Sequence, residues 1–480
     1  MKKHLILSIM AVLCLTGCNN GGAGSNAGAD DDITLKTPKC LSMMSENCQA
    51  YVDDMRAQQQ RLVQDNANAD YYLNDLFGEN GVDLTKGVAP CTGDSGTDGG
   101  YRDGTVQNDY LDDPAAEWEK GEKSDENKGV EISFEVSDSL KNKEYTIKYG
   151  VNQNLDGAKT MKVNKTTARL KNLFVNQQYY YQVSVDGKTS EVGSFKTGDY
   201  PRWIDARPMF NVRDAGGYTV KDGDNGLKRI KQGMVYRGGE ITAAENWKSG
   251  QQYRGDTGGR YVNSSNMMQD GHIQTYAAAS RYDDDRENNP ARVAFREDMG
   301  MVGGVEIDLR SSGERNGYPA NNNYCDFSSE NDPDIGYVLK SISSYDNGMK
   351  NNKSLIKDVF EDYLSKADES PVYYHCYGGA DRTGTIGFLL GAVLGMSYTD
   401  LVIDFELTSY SSNPSRNYRS HLRNGPYNYW PRMVNYLKNT LHWGSEKTIR
   451  ESAEEFLVND CNIKSETIAK IRQIMLEPIA

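Results

Sequence analysis

Residues His375-Cys376-Tyr377-Gly378-Gly379-Ala380-Asp381-Arg382-Thr383 leave the chain few folds to choose from. Before them, Pro371-Val372-Tyr373-Tyr374 reads as a short buried strand, and after them the apolar run Ile386 to Leu394 reads as a helix. A tight loop between a strand end and a helix start turns several backbone N–H groups toward one spot, with the positive end of the helix dipole behind it. Such a cup binds anions. Gly378 and Gly379 permit backbone conformations closed to other residues and let a phosphate come close.

The side chains add the chemistry. Arg382, six positions after Cys376, supplies a planar fork that can hold two phosphate oxygens at once. The field that attracts phosphate also favours the Cys376 thiolate. Together these groups equip the loop for attack of sulfur on phosphorus; a buried cysteine beside a flexible loop is the bland alternative.

At these residues the chain resembles the cysteine-dependent phosphatases. More narrowly it is similar to the bacterial branch whose loop reads His-Cys-x-x-Gly-Lys-Asp-Arg-Thr-Gly and which includes secreted tyrosine and phosphoinositide phosphatases. The resemblance extends through Phe210-Asn211-Val212-Arg213-Asp214-Ala215-Gly216-Gly217-Tyr218 and Met234-Val235-Tyr236-Arg237-Gly238-Gly239-Glu240. It continues in Ile307-Asp308-Leu309-Arg310-Ser311-Ser312-Gly313-Glu314 with Pro319, and in Asp404-Phe405-Glu406-Leu407-Thr408-Ser409. One departure matters: the family's lysine is Ala380 here, which removes a cation and weakens the case for highly charged inositol lipids.

The resemblance implies that Cys376 attacks phosphorus and becomes a phosphocysteine, while Arg382 and the amides of Tyr377, Gly378, Gly379 and Ala380 hold the phosphate oxygens. It implies that His375 orients the loop and that Thr383 assists the departing sulfur. A leaving alkoxide or phenoxide needs a proton. Asp381 is the expected donor, as in some relatives with aspartate at this position; a loop-bracing role is its alternative, with Asp308 and Asp214 in reserve. Arg213, Asp214, Arg310 and Glu314 are expected to form buried ion pairs behind the loop.

The expected activity is phosphomonoester hydrolysis, foremost as a protein tyrosine phosphatase. Alternatives are an inositol phosphate, phytate or phosphoinositide phosphatase, or a surface-anchored binding protein with a vestigial catalytic domain. No cofactor is expected and no metal-ligand spacing stands out. Net charge is −14, from 54 basic and 68 acidic residues, which argues against nucleic acid as a partner but not against a phosphorylated substrate.

The chain opens with Lys2, Lys3 and His4, then an apolar stretch Leu5 to Leu15 too short for a stable membrane helix. Leu15-Thr16-Gly17-Cys18 reads as a lipoprotein processing box. Its resemblance to bacterial lipoproteins implies lipidation of Cys18 and an extracytoplasmic, membrane-tethered protein, with the outer membrane as the expected site. Of eight cysteines, Cys40 with Cys48 or Cys91 is a plausible disulfide, whereas Cys376 is expected free.

The chain reads as multidomain: a signal peptide over 1–18, a tether and weakly helical linker region over 19–127, and a small β-sandwich over 128–198. An α/β phosphatase domain follows over 199–480, a central sheet wrapped by helices. Tyr51, Met55, Leu62 and Leu73 are possible face residues of the helical stretch, and residues 90–128 read as linker. From Val130, apolar residues alternate with polar ones: Ile132, Phe134, Val136; Tyr145, Ile147, Tyr149; Met161, Val163; Tyr179, Tyr181, Val183, Val185. Leu170-Lys171-Asn172-Leu173 before Tyr179-Tyr180-Tyr181-Gln182-Val183, closing with Ser194-Phe195-Lys196-Thr197, resembles a fibronectin type III module, which implies a spacer. Later, Ser354–Ala367 reads as an amphipathic helix and Ser397-Tyr398-Thr399-Asp400 as a helix cap. Residues 243–295 form a polar insertion, either decoration or lid. Asn413 to Trp430, aromatic and basic, either lines the entrance or packs.

Overall fold

A computed structural model describes residues 32–41, 43–64, 70–71, 123–199, 201–207, 209–241, 290–311, 334–412, 429–440 and 447–479. The signal segment with Cys18, residues 243–289 of the insertion, and 413–428 therefore lie outside the described residues. Among the described residues no helix is long and apolar enough to cross a membrane. The chain divides into two compact units, each assembled from two stretches: Met1–Leu41 with Gly129–Tyr200, and Ser42–Lys128 with Pro201–Ala480.

The first unit is β-rich. Its strands are β1 (Ile33–Leu35), β2 (Lys39–Cys40), β3 (Val130–Val136), β4 (Tyr145–Gly150), β5 (Lys159–Val163), β6 (Thr167–Leu170), β7 (Gln178–Val185), β8 (Lys188–Thr189) and β9 (Gly193–Lys196). β3 pairs with β1, β2 and β6, while β4 and β7 form the middle of a second antiparallel sheet with β5, β8 and β9. The period of two does what it promises: Val130, Ile132 and Phe134 are buried, as are Tyr145, Ile147, Tyr179, Tyr181, Val183 and Val185. Phe134 meets Tyr145 edge-on at 5.1 Å, joining the two sheets. Met161 and Val163 are only half-buried, because β5 is an edge strand paired on one side alone. The contribution of β1 and β2 was not expected: a stretch read as tether supplies two strands.

In the second unit, α1 (Glu46–Leu62) precedes the central sheet of β10 (Arg213–Asp214), β13 (Val235–Gly238), β16 (Val372–His375), β14 (Val305–Asp308) and β15 (Gly336–Leu339), in that spatial order. All neighbours are parallel except β10 with β13. A small antiparallel sheet joins β11 (Thr219–Lys221), β12 (Leu227–Ile230) and β17 (Leu476–Pro478). The helices are α2 (Tyr345–Asn351), α3 (Lys353–Asp358), α4 (Arg382–Leu394), α5 (Tyr398–Glu406), α6 (Tyr429–Thr440), α7 (Ile449–Glu455) and α8 (Ser465–Met475). Beyond α3, which buries Ile356, the chain stays helical in wider and then tighter turns to Lys366, burying Val359, Phe360 and Leu364.

β16 lies at the centre with all four residues buried, and α4 is buried from Thr383 to Leu394. An element hidden on every face needs apolar residues all round, which is what the run Ile386 to Leu394 offers. Ser397 caps α5, its hydroxyl accepting from the Asp400 N–H at 3.1 Å. Trp430 packs rather than lining an entrance: it is buried against Phe388, Tyr398 and Phe405, and its indole N–H donates to the Tyr398 hydroxyl at 2.9 Å.

The boundaries differ from expectation most before the β-rich unit. The stripe Cys48, Tyr51, Val52, Met55 of α1 is buried, with Tyr51 stacked on Tyr410 at 5.1 Å. Arg56 pairs with Asp400, and Gln59 donates to Asp70 at 2.6 Å and to Ser397 at 3.0 Å. Asp125, in the stretch read as linker, is fully buried among donors: Asn211 N–H at 2.7 Å, Ser411 hydroxyl at 2.9 Å, Ser412 N–H at 2.9 Å and the Ser412 hydroxyl. Asn127 donates to the Trp203 carbonyl at 2.9 Å. Such groups are not linker, because a buried carboxylate persists only when its acceptors are filled.

Candidate active site

The site lies at the carboxyl ends of the parallel strands, where open α/β sheets place ligands. Gly238, His375 and Asp308 share one register across β13, β16 and β14. From His375 the chain enters the loop and re-emerges as α4 at Arg382.

The loop's carbonyls are turned into the protein body, each with a donor. That of Cys376 faces His375 Nδ1 at 3.1 Å, and that of Tyr377 accepts from the Glu240 N–H at 3.0 Å. Gly378 O accepts from Asn211 Nδ2 at 2.9 Å, and Gly379 O from Arg237 at 3.2 Å. Ala380 O and Asp381 O accept from the N–H groups of Gly384 and Thr385 at 3.0 and 2.9 Å. A trans peptide holds C=O and N–H on opposite sides, so a run of outward carbonyls leaves the intervening N–H groups facing inward. Gly379 has φ +65°, and a Cβ there would lie 2.4 Å from the Gly238 carbonyl carbon, so only glycine lets the loop sit on β13.

Cys376 is buried. Burial pushes its thiol up, but Arg382 and the hydroxyl and N–H of Thr383 pull it down against the opposing charge of Asp381, and it ends below the ordinary value. The buried Thr383 hydroxyl forms no hydrogen bond of normal geometry; its effect on the sulfur is that of a nearby dipole. Sequence places Cys376, Arg382, Asp381 and Thr383 together, and the structure does bring them together electrostatically.

Behind the loop is a layer of charge. His375 is fully buried, with Nε2 2.9 Å from Glu306. Burial pushes its pKa down, yet Asp308 and Glu306 push it up more, and the net shift is upward. Only the doubly protonated ring can donate to Glu306 and to the Cys376 carbonyl at once. Arg310 grips Asp308 at 2.6 Å and Glu240 at 3.0 Å. Against the cost of burial, Arg310 holds the Asp308 carboxyl well below the usual carboxylate range, which removes Asp308 as a proton donor. Glu306, Asp308 and His375 have ligand atoms within 4.8 Å of one another. Their partners mark them as a charge network: Arg310 pairs with Asp308, and Glu306 pairs with His375.

Arg213, Asp214 and Arg310 are each in a buried ion pair, as expected. Successive strand residues face opposite ways, so Arg213 and Asp214 cannot pair. Asp214 pairs with Arg202 at 2.6 Å and accepts from the N–H groups of Gly216 and Gly233, which makes it structural. Arg213 and Arg237 share Asp404. Arg237 has room because Gly387 of α4 carries no side chain: a Cβ there would lie 2.3 Å from its guanidinium. Glu314 lies outside the described residues. Asp381 stands at the start of α4, half-exposed, and accepts a hydrogen bond from the Tyr345 hydroxyl.

Several site residues escaped the sequence reading: Glu306, Glu240, Asn211 and Tyr345 as partners of the loop, and Asp125 as partner of Asn211. Asn211 and Glu240 stood inside quoted motifs without a role. A small pocket opens beside α4 instead, lined by Tyr218, Arg237, Tyr374, Leu390 and Asp404 and by no residue of the loop itself. Cys40 is disulfide-bonded while Cys48 and Cys461 are free and buried, so the Cys40–Cys48 pairing is excluded. No curated protein matches the chain. The model of the tyrosine phosphatase family matches residues 302–477, which span β14, the loop and α4, so the C-terminal part of the chain carries a phosphatase-family domain.

Proposed function

We propose that the second unit hydrolyses phosphomonoesters, phosphotyrosine foremost, through a phosphocysteine. The observation that carries this reading is the depressed Cys376 thiol at the floor of a loop whose carbonyls all point away. Attack of sulfur on phosphorus breaks the P–O bond to the leaving group, which takes a proton from Asp381. Water then gives a proton back to Asp381 as it attacks phosphorus, and the S–P bond breaks to restore the thiolate. Arg382 and the inward N–H groups hold the three remaining oxygens in both steps. Ala380, where the resemblance would put lysine, favours singly phosphorylated aryl esters over inositol polyphosphates. No cofactor enters this scheme.

Purified protein assayed on phosphotyrosine and phosphoserine peptides, phosphoinositides and phytate tests the reading. Phosphotyrosine is expected to be the best substrate, and Cys376→Ser is expected to abolish turnover while retaining phosphate binding. Substantial activity in that variant sinks the thiol mechanism. We further propose that lipid on Cys18 tethers the protein to a bacterial membrane outside the cytoplasm, two or more acyl chains giving stable anchoring where one does not. Cys18→Ala should then leave the membrane fraction.

A further inference from the structure

We propose that Tyr345 is a positioning residue for proton transfer, its phenol occupying one oxygen of Asp381 so that the other carries the transferable proton. This rests on Asp381 being the general acid. The phenol donates to Asp381 Oδ1. A protonated carboxyl has one O–H and one free acceptor oxygen. With Oδ1 engaged as acceptor, the proton resides on Oδ2, and the carboxylate left after transfer keeps the phenol as its donor. The same contact then holds the carboxylate ready to take a proton from water in the second step.

Tyr345 is itself fixed from every side. The residue is 5% exposed, and its ring stacks on Tyr429 at 4.4 Å with 9° between planes. Its backbone N–H donates to the Thr385 hydroxyl at 2.6 Å, and that hydroxyl donates to the Asp381 carbonyl at 2.9 Å. Main chain and side chain of Asp381 are thus both tied to one residue. Tyr345 also holds φ +56°, a left-handed conformation rare for an aromatic residue. Backbone strain of this kind persists where surrounding contacts over-determine it, and it clusters at working sites. A tyrosine merely filling space at the start of α2 would need neither the strain nor the aim.

The test compares Tyr345→Phe, Asp381→Asn and the double variant on aryl phosphates of graded leaving-group basicity, from 2,4-dinitrophenyl to phenyl phosphate. Phenylalanine keeps the stack and removes only the hydroxyl. Unchanged inhibition by vanadate shows that the cup is intact. Tyr345→Phe is expected to lower kcat about 10-fold on phenyl phosphate and less than about 2-fold on the dinitrophenyl ester. The double variant should be no slower than Asp381→Asn, because the phenol acts through the carboxyl. A uniform loss or no loss in Tyr345→Phe, with Asp381→Asn still selective for poor leaving groups, overturns the positioning role and leaves the general acid standing. A uniform loss in Asp381→Asn removes the general acid, and this inference with it.

Discussion

Replacing Asp125 by alanine is expected to destabilise the catalytic unit by about 4 kcal/mol. The side chain is fully buried and receives donors from Asn211, Ser411 and Ser412. Serine hydroxyls can turn to other partners, but the backbone N–H of Asn211 is fixed in the interior. An orphaned buried donor costs ~1–3 kcal/mol, and a lost charge-assisted bond contributes ~1.5–3 kcal/mol. Two such losses, less the relief of no longer burying a carboxyl that burial pushes upward, give the figure. At roughly 2–4 °C per kcal/mol the unfolding midpoint should fall by roughly 8–16 °C. Calorimetry or near-ultraviolet circular dichroism of wild type and variant measures it. Activity below both midpoints should also fall, because Asn211 carries the bond to Gly378 of the loop. Asp125→Asn, which keeps one acceptor, should lose less. A midpoint shift under about 2 °C, less than 1 kcal/mol would give, would return residues 123–128 to the status of linker and refute this account.

Related expectations follow from the same network. A chain starting at Asp199 should fail to fold stably, whereas one in which a short Gly-Ser link joins Lys128 to Pro201 should keep phosphatase activity; the reverse result would mean that α1 and Asp125 are dispensable. Alkylation of Cys376 by iodoacetamide should reach half its maximal rate at a lower pH than an unfolded control, and Thr383→Ala should move that midpoint up; a midpoint matching the control contradicts the depressed thiol. His375, raised by Asp308 and Glu306, gives stability that is full below the unfolded value of about 6.5 and lost as pH rises through the folded one. Glu306→Gln should therefore lower the His375 titration seen by imidazole NMR, and its stability deficit should be largest at acidic pH and shrink as pH rises.

The loop was legible because its information is local: nine consecutive residues carry the thiol, the glycines and the cation. The β-strands were legible for the same reason, as alternation over a few residues reports a buried face. The partners of the loop were not. Glu306 meets His375 from 69 positions away, Arg237 meets Asp404 from 167, and nothing local distinguishes either from the other acids and bases of a charged chain. The helix α1 is an intermediate case. Its stripe Cys48, Tyr51, Val52, Met55 follows helical spacing, but the polar residues around it, Gln58, Gln59 and Gln60 among them, drown the signal in a region otherwise read as tether.

That α1 and Asp125 find their partners so far along the chain has a consequence for synthesis. Ser411 is 286 residues beyond Asp125, and Asp400 is 344 beyond Arg56. At ~5–20 residues per second, Asp125 waits roughly 15–60 s for the serines that will enclose it. Closing so long a loop adds little to the equilibrium cost, since that cost grows only with the logarithm of length. The price is kinetic. The apolar stripe of α1 lacks its Tyr410 partner while the β-rich unit emerges behind it, and the second unit can join its two stretches only after α5 has been made. The nascent chain thus passes through an interval in which an apolar face has no partner, the state in which aggregation competes with folding.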